Sequence, residues 1–294
     1  MGAASPRLLR SPRDRWLFWA GGVTAALQVA LGYRSGAGYA DDFWVTTAIA
    51  WATALYLVWR RSESVAADAG AAWTGAGALV VAAAVIALGA TSSYKAFDRL
   101  LPLAAGAGLA AAASGRRAAS TFRRELLVLA LPLLNPVPRD IRGLWVYRLV
   151  DLTAWGAYAV HRAAGHAVIL DGDSLRMPQG TLDVEIACSG MLGISRLWVI
   201  AALVIALFRT TPMQKVALFA IAALVGFAVN VARIALLAST VMRGDDASFE
   251  FWDDGTGSGF IAIGSMAAAG LGWWLVMRRS SAAPPAGPAA SAVP

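Results

Sequence analysis

Apolar residues along this chain come in long blocks that are separated by short polar connections. A transmembrane helix needs about 20 residues to cross the hydrocarbon layer, and these blocks approach or reach that length. They are too long and too rich in Ala and Leu for barrel strands, the other architecture that satisfies its own backbone in lipid. The pattern predicts an all-α polytopic membrane protein with about eight transmembrane helices. The predicted spans run roughly over 16–33, 43–59, 71–90, 98–114, 144–163, 187–208, 214–240 and 258–277.

One further apolar stretch, within 125–137, is too short to span comfortably. Pro132 and Pro136 interrupt it, and proline cannot continue the hydrogen-bond ladder of a helix. We therefore expect this stretch to lie at the membrane interface or to form a re-entrant segment.

The composition favours a membrane protein over a soluble one. The 294 residues are 58% hydrophobic and only 15% charged, whereas average soluble domains carry about 25% charged residues. The mean hydropathy is +0.59. A net charge of +7 can indicate nucleic-acid binding, but no basic stripe interleaved with aromatic residues is present. The expected partner is therefore the lipid bilayer, and no nucleic acid is expected.

Lysine and arginine cluster in the connections between the apolar blocks, which is typical of loops that face the cytoplasm. With eight spans the clusters fall on one side of the membrane, and both termini are cytoplasmic. A ninth span at 125–137 would move some of these clusters to the outside. The clusters are the N-terminal arginines, Arg60-Arg61, Arg116-Arg117, Arg123-Arg124, Arg139 with Arg142, Arg209 with Lys215, and Arg278-Arg279.

The opposite, extracytoplasmic side receives one connection with the pattern of β-structure. Residues 167–186 contain the turn signals Asp171-Gly172 and Gln179-Gly180, and apolar residues then alternate up to Ile186. This pattern predicts a small extracytoplasmic β-hairpin. The tail over 280–294 is rich in Ala, Pro and Ser and is predicted to be disordered.

Cys188 is the only cysteine of the chain and opens the sixth predicted span. A single cysteine excludes an intramolecular disulfide and a cysteine-rich metal site, and the two histidines, His161 and His166, are too few for a dedicated metal cluster. No metal and no cofactor is therefore predicted. Cys188 can be a small buried apolar residue. At a helix start, where the dipole and free amides favour a thiolate, it can also be a nucleophile.

Arg233 lies inside the seventh predicted span, with Asn230 three residues before it on the same helix face. An arginine within the membrane is costly and by default marks function. It lies roughly 10 Å from the outer end of the span, at 1.5 Å per residue, a depth at which it can meet Cys188. The alternative is an arginine that snorkels to the interface, which leaves Asn230 without a role.

The segment before the last span, residues 249–259, combines aromatic, acidic and glycine residues. It can be an ordinary polar loop with an aromatic anchor. Its carboxylates can also orient or deprotonate a partner, and Asp253 would then join Cys188 and Arg233 at the outer leaflet. A thiol that attacks a peptide carbonyl, a guanidinium that stabilises negative charge and a carboxylate that moves a proton make a cysteine-nucleophile site plausible.

The ordered combination of these motifs resembles the exosortase/archaeosortase family. Ala-Cys-Ser-Gly follows Leu-Asp-Val-Glu-Ile, and Asn-Val-Ala-Arg-Ile-Ala-Leu-Leu stands in the next span. The resemblance covers about 155–275, and the closing Phe-Glu-Phe-Trp-Asp-Asp-Gly-Thr-Gly-Ser looks most like the cyanobacterial-type members. Together with the predicted spans, it divides the chain into a cytoplasmic segment at 1–15, a transmembrane scaffold at 16–143, an exosortase-like catalytic membrane region at 144–279 and a cytoplasmic tail at 280–294.

The resemblance implies a multi-pass cysteine transpeptidase or protease of the bacterial plasma membrane, with its site facing outwards. The implied substrates carry a C-terminal sorting signal, which is a short motif such as Pro-Glu-Pro, then one helix and a basic cluster. Motif matching assigns Cys188 as the nucleophile and Arg233 as the family arginine. Asp253 stands where the family usually has a histidine. Supporting residues are expected at Asn230, Ser189, Gly190 and Glu185.

The missing third-position histidine leaves alternatives open. A thiolate and Arg233 can suffice, His161 or His166 can reach the site, or catalysis can be weakened. In the last case the protein would bind sorting signals or assist polysaccharide export without catalysis. A small-solute transporter ranks lower, because the polar groups cluster at one face of the membrane instead of crossing it.

Overall fold

The computed structural model describes residues 12–34, 41–60, 70–89, 98–134 and 144–281. The chain is mostly helical and forms two compact units. The first contains residues 1–145 and 202–208, and the second contains residues 146–201 and 209–294. The predicted N-terminal segment up to residue 11 and most of the predicted disordered tail lie outside the described residues.

The first unit is built from helices that pack through small residues. These are α1 (Pro12–Arg34), α2 (Asp41–Trp59), α3 (Ala71–Gly89), α4 (Leu101–Ser114), α5 (Ala118–Thr121) and α6 (Arg123–Leu129). Helices α3 and α4 meet at Gly77 and Gly108, where a Cβ atom on Gly108 would lie 2.7 Å from the carbonyl oxygen of Gly77. Glycine at such contacts lets two helix backbones approach closely, as is common within membranes.

A buried glutamine ties three helices of this unit together. Gln28 on α1 accepts a hydrogen bond from Trp51 Nε1 on α2 at 2.8 Å. Its own amide donates to the carbonyl oxygen of Leu101 at 3.1 Å. A buried amide without partners would be costly, so these two bonds explain how the core accommodates it.

The second unit carries the β-structure and the longest helix. Its elements are α7 (Leu144–Ala163), β1 (Ile169–Asp171), β2 (Ser174–Met177), β3 (Gly180–Asp183), α8 (Met191–Leu207), α9 (Pro212–Arg243), α10 (Asp246–Asp253) and α11 (Thr256–Ser281). The first residue or two of α7 and the last residues of α8 belong to the first unit.

The number of spans differs from the sequence expectation. Among the described residues, three segments are long and apolar enough to cross a membrane, namely Ile186–Leu207, Pro212–Arg243 and Thr256–Arg278. Two shorter apolar helices lie at Phe43–Trp59 and Ala72–Ala87. Helix α7 has the predicted bounds, but it carries Arg148 and Asp151 along its length and is less apolar. Eight spans therefore remain a prediction.

The apolar stretch predicted at 125–137 does not form one continuous helix. Helix α6 ends at Leu129, and a separate 3₁₀ turn follows over Leu131–Leu134. Pro132 lies in that turn, which is the break that its missing amide hydrogen predicts.

The sequence predicted a two-stranded hairpin, but the structure has a sheet of three antiparallel strands in the order β1-β2-β3. Both turn signals are correct: Gly172, with a φ of 64°, connects β1 to β2, and the turn before Gly180 connects β2 to β3. The alternation predicted up to Ile186 stops earlier, because the chain leaves β3 after Asp183 and enters a 3₁₀ turn over Ile186–Cys188.

One face of the sheet packs against the C-terminal half of α9. Leu175 and Val184 from the sheet segment and Ile234 and Leu237 from α9 are almost completely buried in one apolar cluster. Cys188 is partly buried against the same cluster. Burial of these side chains holds the segment that leads into Cys188 against α9.

Helix α9 is longer than the predicted 214–240 because both of its ends are capped. Thr211 and Gln214 form a capping box, in which each side chain accepts a hydrogen bond from the backbone of the other residue. Gly244 ends the helix in the left-handed conformation, with a φ of 64°. Beyond it, Asp245 caps α10 by accepting a hydrogen bond from the Ser248 amide, so the predicted polar loop contains a short helix.

Candidate active site

Cys188 lies at the end of the 3₁₀ turn that connects the sheet to α8. Its amide donates to the carbonyl oxygen of Glu185 at 2.8 Å. Helix α8 begins at Met191, so Cys188 precedes the helix. The prediction that Cys188 lies at the start of this helix is therefore wrong by three residues. The side chain is partly exposed, which leaves the sulfur accessible to a reagent or a substrate.

The two residues after Cys188 are buried and held by neighbouring helices. Thr153 on α7 donates its hydroxyl to the carbonyl oxygen of Ser189 at 3.3 Å. Gly190 has a φ of 83°, and a Cβ atom there would lie 2.9 Å from the side chain of Asn230. A side chain at position 190 would therefore meet both backbone strain and a steric clash.

Asn230 on α9 holds the backbone of the nucleophile candidate. Its Nδ2 atom donates to the carbonyl oxygen of Cys188 at 2.8 Å. Asn230 is buried and also contacts Gly190. The amide that sequence analysis placed beside Arg233 therefore serves to position the Cys188 turn.

Arg233, one helical turn after Asn230, pairs with Asp253 at the end of α10. Its Nη2 atom donates to Asp253 Oδ1 at 2.6 Å and to the Asp253 carbonyl oxygen at 3.0 Å. The side chains are 18% and 27% exposed, so the pair is mostly shielded from solvent. A double contact to the side chain and backbone of one residue fixes the direction of the guanidinium.

The positive charge of Arg233 acts on the Cys188 thiol. Its Nε atom is buried and has no hydrogen-bond partner among the described residues. A buried donor without a partner carries a desolvation cost. The Nε of Arg233 is therefore a donor that no described group satisfies.

Burial raises the pKa of the Asp253 carboxyl, although the nearby Arg233 acts in the opposite direction. The negative charges of Asp254 and Glu185 raise it further. Glu185 is exposed, and its charge also acts on Cys188. Asp253 is thus easier to protonate than an ordinary aspartate, while it remains the ion-pair partner of Arg233.

The two histidines contact each other and α9. His161 Nε2 lies 2.9 Å from the carbonyl oxygen of Ala235, and His161 Nδ1 lies 3.1 Å from His166 Nδ1. Both ring nitrogens of His161 are therefore engaged away from Cys188. The charged residues that act on the thiol are Arg233, Asp253 and Glu185.

The structure brings together Cys188, Arg233 and Asp253, with Asn230, Ser189, Gly190 and Glu185 around them. Sequence reasoning missed Thr153, which is fully buried on α7 and bonds to the Cys188 segment. The one available signal was a hydroxyl residue, Thr153, inside the predicted span 144–163. Within the described part of the chain, no group of three or more His, Cys, Asp or Glu residues is arranged to hold a metal ion.

Comparison with known proteins assigns the chain to a family. The family model for the transmembrane exosortase matches residues 40–270. The match begins far upstream of residue 155, where the resemblance in sequence motifs began, so it includes most of the N-terminal helices. No curated protein and no solved structure matches the chain significantly. With a family model that covers most of its length, the chain belongs to the transmembrane exosortase family and is a membrane protein.

Proposed function

We propose that this protein is a cysteine transpeptidase or protease that cleaves the C-terminal sorting signals of exported, membrane-anchored proteins. The observation that carries the proposal is the joint placement of Cys188, Arg233 and Asp253, with Asn230 bonded to the Cys188 carbonyl. Family membership supports a protein of the exosortase kind.

The chemistry begins with the Cys188 sulfur, which loses its proton and attacks the scissile carbonyl carbon of the substrate. The carbonyl oxygen gains negative charge, and the guanidinium of Arg233 stabilises it through its free Nε donor. The carbon–nitrogen bond then breaks, and the amine of the sorting helix leaves with a proton. The remaining thioester is resolved by an amine in transpeptidation or by water in hydrolysis.

Asp253 has two parts in this scheme. As a carboxylate it holds Arg233 through the bond at 2.6 Å. Because burial raises its pKa, it is also a better proton carrier than an ordinary aspartate. It can accept the thiol proton and return it to the leaving amine.

The substrate meets the site at the outer face of the membrane. This orientation rests on the arginine and lysine clusters, which the positive-inside rule places in the cytoplasm. A substrate with its own membrane helix and a basic cytoplasmic end would lie parallel to α8 and α9 and present its motif at the level of Cys188.

The second candidate is a non-catalytic member of the family that binds sorting signals or assists polysaccharide export. One observation favours it: Asp253 replaces the usual histidine, and both nitrogens of His161 are engaged elsewhere. The two candidates differ in whether the Cys188 sulfur reacts.

The test expresses the protein with a reporter that carries a motif–helix–arginine tail taken from the same proteome. Cys188→Ala is expected to abolish processing of the reporter, because no other thiol exists in the chain. Ser195→Ala is the matched control. Ser195 is buried on α8 and bonds only its own helix, so this variant should process normally.

Undiminished processing by Cys188→Ala would refute the proposal. The rate of iodoacetamide alkylation provides a second measurement, because the chain has a single thiol. Alkylation of the wild type no faster than that of a free thiol at neutral pH, together with unprocessed reporter, would favour the non-catalytic candidate.

A further inference from the structure

The end of α7 brings the two histidines of the chain together through the geometry of its C-cap. The Gly165 amide donates to the carbonyl oxygen of Arg162 at 3.1 Å, and the His166 amide donates to the carbonyl oxygen of His161 at 3.0 Å. Gly165 has a φ of 81°. These bonds define a Schellman motif, which places the side chains of its first and last residues in contact.

That contact is usually made by two apolar side chains, but here both are imidazoles. His161 Nδ1 and His166 Nδ1 lie 3.1 Å apart, and the ring planes are tilted by 46°. The two Nδ1 atoms face each other because of the turn, and not because the rings stack.

The tautomer of His161 is decided by its other nitrogen. His161 is only 3% exposed, and its Nε2 atom lies 2.9 Å from the carbonyl oxygen of Ala235. A carbonyl oxygen only accepts hydrogen bonds, so Nε2 carries the proton and the Nδ1 lone pair points at His166. Metal-binding histidines are commonly held in this way, with the second nitrogen bonded to a backbone carbonyl.

We propose that His161 and His166 form a binding site for a borderline divalent cation of the zinc type, with the two Nδ1 atoms as ligands. Zinc–imidazole bonds are about 2.0–2.1 Å long, so two ligands in a tetrahedral arrangement lie about 3.3–3.4 Å apart. The observed separation of 3.1 Å lies within a few tenths of an ångström of this value. Binding also requires the exposed His166 ring to turn until both lone pairs converge on the ion. The imidazole pair matches zinc better than the hard cations, which prefer oxygen ligands.

The remaining coordination positions are open to solvent. His166 is exposed, which gives a cation access to the pair, while the buried His161 ring provides a fixed ligand. When the cation binds, His166 keeps its proton on Nε2 and offers Nδ1. Water or a carboxylate from a bound solute completes the shell, since no third His, Cys, Asp or Glu joins the pair among the described residues.

The composition of the chain makes the test unusually clean. It has two histidines and one cysteine, so Cys188→Ala leaves these two imidazoles as the only histidine or cysteine ligands. The full-length Cys188→Ala protein, purified in detergent without a histidine tag, is titrated with Zn²⁺ by isothermal calorimetry. We expect saturable binding of one ion per chain.

Adding His166→Gln should weaken Zn²⁺ binding at least about tenfold, because it removes one of two ligands. Because His166 is exposed, this variant should keep the fold, which an unchanged melting temperature would show. Adding Arg162→Gln instead is the matched control, because it changes an exposed residue of the same turn and keeps both imidazoles. This control should bind Zn²⁺ at least as well as its parent.

Two results would overturn the inference. One is the absence of saturable Zn²⁺ binding to the Cys188→Ala protein, and the other is equal affinity with and without His166→Gln. Diethyl pyrocarbonate gives an independent measurement, since bound Zn²⁺ should protect the exposed His166 from modification. Modification at the same rate with and without Zn²⁺ would also count against the site.

Discussion

At the scale of single residues, the main feature of the site is that Asp253 fixes the orientation of the Arg233 guanidinium. Arg233 is bound twice by Asp253, and its Nε donor has no partner among the described residues. In a mostly shielded site a fixed charge contributes more than it would in water. The sequence resemblance implies a histidine at position 253, and the Asp253 carboxylate found there binds Arg233.

Replacing Asp253 by Asn tests that arrangement. Asp253→Asn keeps the backbone carbonyl that contacts Arg233 and removes the carboxylate, so we expect reporter processing to fall about 10- to 100-fold through misplacement of the guanidinium. Asp254→Asn is the matched control, because the neighbouring carboxylate makes no ion pair with Arg233 among the described contacts. Equal rates for the two variants would contradict this role.

The same pair of variants has an expected pH profile. Because burial raises the pKa of Asp253, acidification should protonate it and break the ion pair at a higher pH than for an ordinary aspartate. Wild-type processing therefore falls with acid in that range, and Asp253→Asn lacks this fall. The raised pKa means that the folded state binds this proton more readily than the unfolded state, so protonation of Asp253 adds stability as the pH falls. A melting temperature that does not fall over this pH range would separate the loss of activity from unfolding.

At the scale of elements, the Cys188 turn is positioned by helices on either side of it. Thr153 on α7 binds the carbonyl oxygen of Ser189, and Asn230 on α9 binds that of Cys188. Gly190 lets the chain turn into α8 at a point where any side chain would strike Asn230. The turn therefore depends on contacts that come from distant parts of the chain.

Asn230→Ala should destabilise the protein by about 1–3 kcal/mol, because the Cys188 carbonyl loses its partner. It should also slow the alkylation of Cys188 and the processing of the reporter, since the turn loses its anchor. Ser239→Ala is the control, because its hydroxyl bonds only a carbonyl of α9 near the same end. A lower melting temperature with unchanged alkylation and processing would assign Asn230 a purely structural role.

At the scale of the whole molecule, the arginine and lysine clusters predict that the sheet lies on the extracytoplasmic side of the membrane. In the Cys188→Ala background, Gln179→Cys places a thiol on an exposed turn of the sheet, and Met213→Cys places one at the opposite end of α9, where Met213 is 77% exposed. A membrane-impermeant maleimide applied to intact spheroplasts should label the first and not the second. The reverse result would invert the topology, and labelling of the second after lysis is the control.

The amino-acid sequence was enough to predict a membrane protein and its candidate site residues. Long apolar blocks identify membrane helices because transfer into lipid is nearly a sum over residues. A single cysteine and an arginine inside an apolar block stand out for the same reason. The bounds of α7 and both turns of the sheet followed from local rules, which act within a few residues.

The pairing of the polar groups could be seen only in the folded structure. It showed that Asp253 binds Arg233, that Asn230 and Thr153 hold the Cys188 turn, and that His161 and His166 contact each other away from the thiol. It also ended the last strand at Asp183 and started α8 after Cys188. These outcomes depend on packing between segments up to 42 residues apart, and local sequence patterns carry no information on which distant donor meets which acceptor.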